Sequence, residues 1–316
     1  MPSMFKIVRY TAERADEWNQ FVAKSKQGTF LHNRRYMDYH SNRFQDHSLL
    51  VYRKGKLFAL LPANEVGDTL WSHQGLTYGG LLTDANAVSE TVCDTFMEIN
   101  NYLRSVGFRR VVYKPVSYIY HRMPAEEDLY ALFLRCQARL VERDVSSAIY
   151  MNTRPRFAES RRSGLRKAQT SGISVGLSTD IDSFWKILSD NLAAKYNARP
   201  VHSLTEMELL ASRFPDNIQL YMAYDCQGVP IGGTLLYLTQ QVVRTQYISA
   251  SPEGKRVGAL DLLFYHLLNE VHFSQPYFDF GTSAQADSNE VNAQLIFQKQ
   301  GFGARAICYD TYEWTL

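Results

Sequence analysis

The sequence predicts an α+β protein built as two tandem units, each a mixed, mostly antiparallel sheet flanked by helices. Three observations carry this expectation. The chain has 316 residues, enough for two domains of ordinary size. The stretches Leu49 to Leu82 and Ile218 to Gly254 read alike, as short apolar strands broken at turn residues. Each is followed by an apolar stripe at helical spacing and then by another strand.

In order along the chain, Trp18, Phe21 and Val22 mark a first short helix, and Tyr36, Met37 and Tyr39 a second. A strand reaches Lys54, turns at Gly55 and returns through Leu61, and a third begins near Thr69. A helix is expected over Ala87 to Val106, where Val88, Val92, Phe96, Ile99 and Leu103 recur every three or four residues. The strand Arg109 to Val116 follows, and the spacing of Leu129, Leu132, Phe133 and Leu140 suggests a helix over Glu126 to Glu142. The polar stretch Ser147 to Arg154 reads as a connection, dividing the chain into 1–150 and 151–316.

In the second half, helices are expected over Asn152 to Gly172 and Ile181 to Tyr196. Strands then flank a turn at Gln227–Gly228, and a third covers Val242 to Ser249. Leu260, Leu263, Phe264, Leu267, Leu268 and Val271 form the clearest helical stripe, followed by the strand Tyr277 to Ser283.

Charge is balanced overall, at +2, yet six basic residues fall between Arg154 and Lys167 against one acid, Glu159. With Phe157 on the buried face of the expected helix, Gly164, Leu165 and Ala168 share it, while Arg162, Arg166 and Gln169 lie opposite. Arg161 falls near the apolar stripe, where a guanidinium must be paired or point into a cavity. The segment is then either an anion site that arginines grip bidentately, or a basic surface helix paired with nearby acids.

DNA binding is disfavoured, since no helix-turn-helix or finger spacing is present. The four cysteines are scattered, which suits reduced thiols, and neither they nor the eight histidines show metal-ligand spacing. No apolar run approaches the ~20 residues needed to span a bilayer. The first residues lack the apolar core of a signal peptide, so a cytoplasmic protein is expected.

Several segments resemble one family. "SRRSGLRKAQTSGISV" (Ser160 to Val175) is similar to the linker helix of the Fem-type peptidoglycan-bridge aminoacyltransferases, within the wider GNAT-like acyltransferases. "WNQFVAKSKQGTFLHNRRYMDYH", "LLPAN", "SHQGLTYGGLL", "YKPVSYIYHRMPAEEDLYALF", "FDFGTS" and "FQKQGFGA" resemble the bacterial tandem-GNAT branch, in order and over nearly the whole chain. The resemblance implies two GNAT-like domains of the acyl-CoA N-acyltransferase fold and transfer of an acyl or aminoacyl group to an amine. The acceptor would be a small molecule or a cell-envelope precursor.

Such chemistry needs a held donor, stabilisation of the developing oxyanion and deprotonation of the acceptor amine, without an enzyme nucleophile. Before the strongest helix, Lys255, Arg256 and Gly258 offer charge and backbone freedom where a phosphate could sit, with Arg161, Arg162 and Arg166 as further donor-binding residues. The run Lys255 to Leu260 departs at both ends from the R/Q-x-x-G-x-G/A pattern of acetyl-CoA-using members. The donor therefore stays open among acyl-CoA, an acyl carrier and aminoacyl-tRNA, and no permanently bound cofactor is expected.

Asp279, set between aromatics, is a candidate base, a group that orients the substrate amine, or a bonder of local backbone amides. Its Asp-Phe-Gly triplet lacks every companion motif of a kinase. Tyr247 is a candidate proton donor to the leaving group. The resemblance implies that Lys299 places a cation near the reacting carbonyl, and that Asn292 belongs to the preceding helix. On the acceptor side it implies His73, Tyr78 and Gly79, with Lys114 and Tyr120 lining the same cleft; His73 serves as a base or as a satisfied structural histidine. A non-catalytic anion- or nucleotide-binding module that keeps the fold is the rival reading. RNA binding through the basic helix is a third.

Overall fold

The structure, a computed structural model, describes residues 4–283 and 290–316. The chain forms two compact units, Met1–Asp144 with Cys308–Leu316, and Val145–Ile307.

The first unit carries β1 (Phe5–Arg9), α1 (Ala15–Lys24), α2 (Arg34–Met37), β2 (Gln45–Asp46), β3 (Leu49–Arg53), β4 (Lys56–Leu61), β5 (Asn64–Val66), β6 (Thr69–Trp71) and β7 (Leu82–Thr83). α3 (Ser89–Ser105), β8 (Arg110–Tyr113), α4 (Glu127–Ala131) and the start of β9 (Arg139–Tyr150) follow. Lys54 and Gly55 both take positive φ, 50° and 78°, the two-residue turn that suits the twist of the β3–β4 hairpin. β1, β3, β4 and β7 form one sheet in the order β1-β3-β4-β7. Four members of the expected α3 stripe, Val92, Phe96, Ile99 and Leu103, are buried in the unit's core, whereas Val88 only caps the helix and is 57% exposed. β6 pairs in parallel with β8, the strand on the far side of α3.

The second unit carries α5 (Glu159–Thr170), β10 (Ser174–Ser178), α6 (Ile181–Tyr196), α7 (Leu204–Arg213), β11 (Ile218–Tyr224), β12 (Pro230–Leu238) and β13 (Val242–Ala250). α8 (Pro252–Val257), α9 (Ala259–Asn269), β14 (Tyr277–Thr282), α10 (Ala293–Gly301) and β15 (Arg305–Thr315) complete the chain. Its strands run in the order β10-β11-β12-β13-β14-β9, antiparallel except for β13 beside β14. Leu263, Phe264, Leu267 and Leu268 of α9 pack on Phe278, Phe280 and Phe302. Both units thus repeat one plan, in which an antiparallel meander leads through one amphipathic helix into a parallel strand.

Three expectations differ from the structure. The helix over Glu126 to Glu142 stops early: α4 winds into a π turn at Leu132–Cys136 and ends at Gln137, with φ at 50°. Phe133 and Leu140, which seemed to complete its stripe, are 76% and 44% exposed, and Arg139 onward is strand. The helix over Asn152 to Gly172 begins only at Glu159, because Arg154 is extended ahead of Pro155 and the chain is not helical again until after Ala158. The unit division also differs from 1–150 and 151–316. The last nine residues belong with the first unit, since Tyr312 to Thr315 pair with β8 and Trp314 enters that unit's core.

α5 lies against α9 because both present glycine at the contact. A Cβ on Gly164 would sit 1.9 Å from the Asp261 carboxylate, and one on Gly258, where φ is +79°, would sit 2.4 Å from the Gly164 carbonyl oxygen. Gly164→Val should therefore destabilise the protein by about 1–3 kcal/mol or more through overpacking, read as a lowered urea midpoint at unchanged slope. A midpoint equal to the parent's would show that the two helices can move apart at no cost.

Candidate active site

The second unit's candidate site begins with a break in its sheet. β14 pairs with β13 only from Tyr277 to Asp279, opposite Val242 to Arg244. Beyond that point the parallel ladder stops, although β13 continues to Ala250. A cavity of about 570 Å³ lies against the unpaired part of β13, lined by Ile248, Ser249 and Ala250 on one strand and Phe280 on the other. α6 adds Leu188, Asn191, Leu192 and Lys195, α9 adds Leu260 and Phe264, and α10 adds Gln294, Leu295, Gln298 and Lys299. Lys255 and Phe302 complete a lining that is largely apolar, with three lysines and, among the described residues, no acid or histidine.

A second cavity, about 340 Å³, shares Lys255, Leu260, Gln294 and Gln298 with the first and adds Arg161, Gly254, Gly258, Asp261 and Phe297. Together they form an apolar chamber with a polar mouth.

A strand that leaves its partner must satisfy its backbone groups elsewhere. Lys299 does this for β14: its ammonium donates to the Gly281 carbonyl at 2.9 Å, the Thr282 carbonyl at 2.8 Å and the Ser283 hydroxyl at 2.9 Å. Burial lowers its pKa to about 8, opposed by Asp279 and assisted by Arg244. Its three donors are all engaged, so the cation closes the open end of β14 rather than standing free beside a substrate.

Asp279 is fully buried and bonds to the Ser146 hydroxyl at 2.5 Å, the Gly281 amide at 2.9 Å and the Arg244 guanidinium at 3.2 Å. Of the roles open to it, the structure shows local bonding, and Asp279 is not among the residues lining the chamber. Gly281 needs its glycine because φ is +74° where the strand turns aside.

Tyr247 points elsewhere. Its hydroxyl lies 2.6 Å from His202 Nδ1 and its ring packs edge-on against Trp185, with burial pushing its pKa up to about 12. Asn292 caps α10, accepting from the Leu295 amide at 3.1 Å, and so precedes the helix instead of lying within it.

The arginine-rich helix divides as its spacing suggests. Arg161 is half-buried and pairs with Asp261 at 2.9 Å, so it has both the partner and the cavity that its position demands. Arg162 and Arg166 are exposed and both pair with Glu159 at 2.6 Å. Such surface pairs are weak. Arg256 is likewise exposed and paired with Glu253, while Lys255 and Gly258 line the mouth. Of the six expected donor-site residues, the structure therefore brings together Arg161, Lys255 and Gly258.

The first unit gathers its expected residues as packing. Tyr78 and Tyr120 are buried with ring centroids 4.6 Å apart, and the Tyr78 hydroxyl meets Thr29 at 3.3 Å. Gly79 donates to the Lys114 carbonyl, and a Cβ there would lie 1.8 Å from the Ser72 carbonyl oxygen. His73 is buried, stacks on His40 and has its pKa lowered to about 3 by burial. At that value His73 is uncharged near neutral pH, its ring held in the stack on His40.

Sequence reading missed the α6 wall, Asp261, Arg244 and Ser146. α6 was legible as a helix, but nothing in its pattern says which face borders a cavity. Asp261 lies one residue beyond the glycine-containing run and could have been paired with Arg161 as an acid on a neighbouring apolar helix.

Comparison with known proteins agrees with this geometry. Residues 155–287 match the family model of the acetyltransferase (GNAT) domain. The solved structure of FemX aligns over 98% of this chain and 97% of its own, with a TM-score of 0.68 at 11% identity. The C-terminal domain of a putative lysylphosphatidylglycerol synthetase from Agrobacterium fabrum aligns over 96% of this chain and 91% of its own, with a TM-score of 0.60 at 12% identity. A tandem GNAT protein from the clavulanic acid biosynthesis pathway aligns over 98% of both chains, with a TM-score of 0.53 at 12% identity. No curated protein matches the sequence. The domain match thus falls within the second unit, and the chain as a whole shares the fold of FemX and of the tandem GNAT protein.

Two substitutions test the buried cluster. Lys299→Met strands buried acceptors on β14 and should cost about 1–3 kcal/mol. Asp279→Asn removes the carboxylate facing two buried cations and should cost more, about 3–5 kcal/mol. Urea unfolding checks the order; a Lys299 variant less stable than the Asp279 variant would contradict this account of the cluster.

Proposed function

We propose that the chain is an N-acyltransferase whose activated acyl donor occupies the second unit's chamber and mouth. The observation that carries this reading is the gap between β13 and β14, a slot with apolar walls and a cationic mouth. An acyl arm gains burial against Leu188, Leu192, Ile248, Phe264 and Phe280. An anionic handle gains Lys255, Arg161 and the first amides of α9 at Gly258.

The amine attacks the donor carbonyl directly, without a covalent enzyme intermediate. Among the described residues, the chamber lining supplies no cysteine and no histidine for an acyl-enzyme route. Negative charge on the carbonyl oxygen is met by β13 amides beyond Arg244 that have no β14 ladder partner. Lys299 supports this by fixing the β14 edge of the slot and by its positive charge in the chamber wall. Asp279 and Tyr247 act as positioning residues. The acceptor is an amine on a small molecule or cell-envelope precursor. One neighbour's name, lysylphosphatidylglycerol synthetase, supports an envelope connection. His73, Tyr78, Gly79, Lys114 and Tyr120 support the acceptor side by shaping the first unit's backbone, and Asn292 by capping α10.

The donor is of the acyl thioester or ester class. Arg162, Arg166 and Arg256 already hold acids, which leaves less free positive surface than a long nucleic acid would need. No helix among the described residues is long and apolar enough to cross a membrane.

Leu295→Trp should fill the chamber from α10 without touching the mouth. Thiol release from acetyl-coenzyme A or a longer acyl-coenzyme A, assayed against a panel of amines, should fall at least tenfold while the thermal midpoint stays within a few degrees. Donor binding by the parent with no transfer to any amine would instead establish a non-catalytic anion-binding module. Undiminished transfer by the variant would remove the chamber from the donor path.

A further inference from the structure

The mouth of the chamber contains its own anion. The Arg161 side chain is clamped: its guanidinium lies over the Phe302 ring at 5.5 Å, and its stem lies against bare Gly301. One nitrogen, Nη1, donates to Asp261 Oδ1 at 2.9 Å, while Nε is buried with no hydrogen-bond partner. Asp261 sits in the first turn of α9, on the wall of the same cavity. Room for its carboxylate exists only because residue 164 of the opposing helix has no side chain.

Most of the other cations nearby are engaged, while Lys167, also on α5, is exposed and close enough to act on Glu253. Arg162 and Arg166 hold Glu159, Arg256 holds Glu253, and Lys255 reaches Asn191. α10 presents only the uncharged Gln294, Phe297 and Gln298 to the mouth. β10, β11 and β12 beneath α9 carry no charged side chain, and His266 pairs with Glu270 further along α9 itself.

Taking the proposed donor site as its basis, we propose that Asp261 is a built-in counter-anion that competes with the donor's phosphate-type group for Arg161, and so sets the donor affinity of the mouth. The incoming anion takes the part of the guanidinium that Asp261 now holds, and the carboxylate is left facing it across the mouth. A carboxylate one turn into the helix opposes an anion held at the same helix end, so the exchange costs affinity that an amide at this position would restore. Burial, opposed by Arg161, raises the Asp261 pKa to about 6. As pH falls through that value the residue takes up a proton, its hold on Arg161 weakens, and anion binding tightens.

Isothermal titration with inorganic sulfate and with coenzyme A tests this on the full chain, using the parent, Asp261→Asn and Arg161→Gln. At about pH 7.5 and constant salt, Asp261→Asn should bind both probes about tenfold tighter than the parent, and Arg161→Gln more weakly. Sulfate does not titrate in this range, so the parent alone should gain affinity for it towards about pH 5 and approach the Asn variant. That second measurement stands even if the variants fold poorly. Equal or weaker binding by Asp261→Asn, or a parent sulfate affinity that is flat with pH, overturns the competition while leaving the donor site in place. Failure of the parent and both variants to bind either probe, with all three folded, overturns the donor site itself and this inference with it.

Discussion

The parting of β14 from β13 is the constraint on which the second unit's chemistry depends. Two parallel strands that stay paired leave no space between them. Here the ladder ends after three residues, and the chamber is the volume released. Opening a sheet exposes backbone groups that must be satisfied, and the chain answers with a buried lysine, a buried aspartate and a left-handed glycine. Lys299 holds the carbonyl edge, Asp279 holds the Gly281 amide, and Arg244 balances the aspartate. The network is the scaffold of the slot, and reactivity is left to whatever enters it.

This arrangement changes how charged residues near the site are understood. Lys299 and Asp279 have the residue types of an oxyanion holder and a base, but their bonds are spent on the backbone and on each other's neighbours. Arg161 has the opposite character. It is partly satisfied, with one nitrogen paired and another buried without a partner. Incomplete satisfaction at a cavity wall marks a group that can exchange partners, whereas full satisfaction marks one that holds shape.

Much of the fold was legible because local periodicity and packing agree. The α9 stripe, the Lys54–Gly55 hairpin and the repeated meander each follow from spacing that the core then uses. Reading failed where a pattern was accidental or a partner was distant. Phe133 and Leu140 fit a helical period yet face outward, because Gln137 breaks the chain into a strand between them. Arg161 could be recognised as needing a partner, but only the fold brings Asp261, a hundred residues away, against it. The α6 wall was invisible for the same reason, since a residue lining a cavity and a residue filling a core look alike in sequence.

The path of the chain at its end has a consequence for synthesis. Residues 308–316 supply the strand that pairs with β8 and the tryptophan that enters the first unit's core. The second unit is contiguous, so a growing polypeptide has all its parts before the earlier unit has its last strand. The half made first is therefore the half finished last. Losing residues 308–316 would take a strand and a core tryptophan from the first unit and no residue from the second.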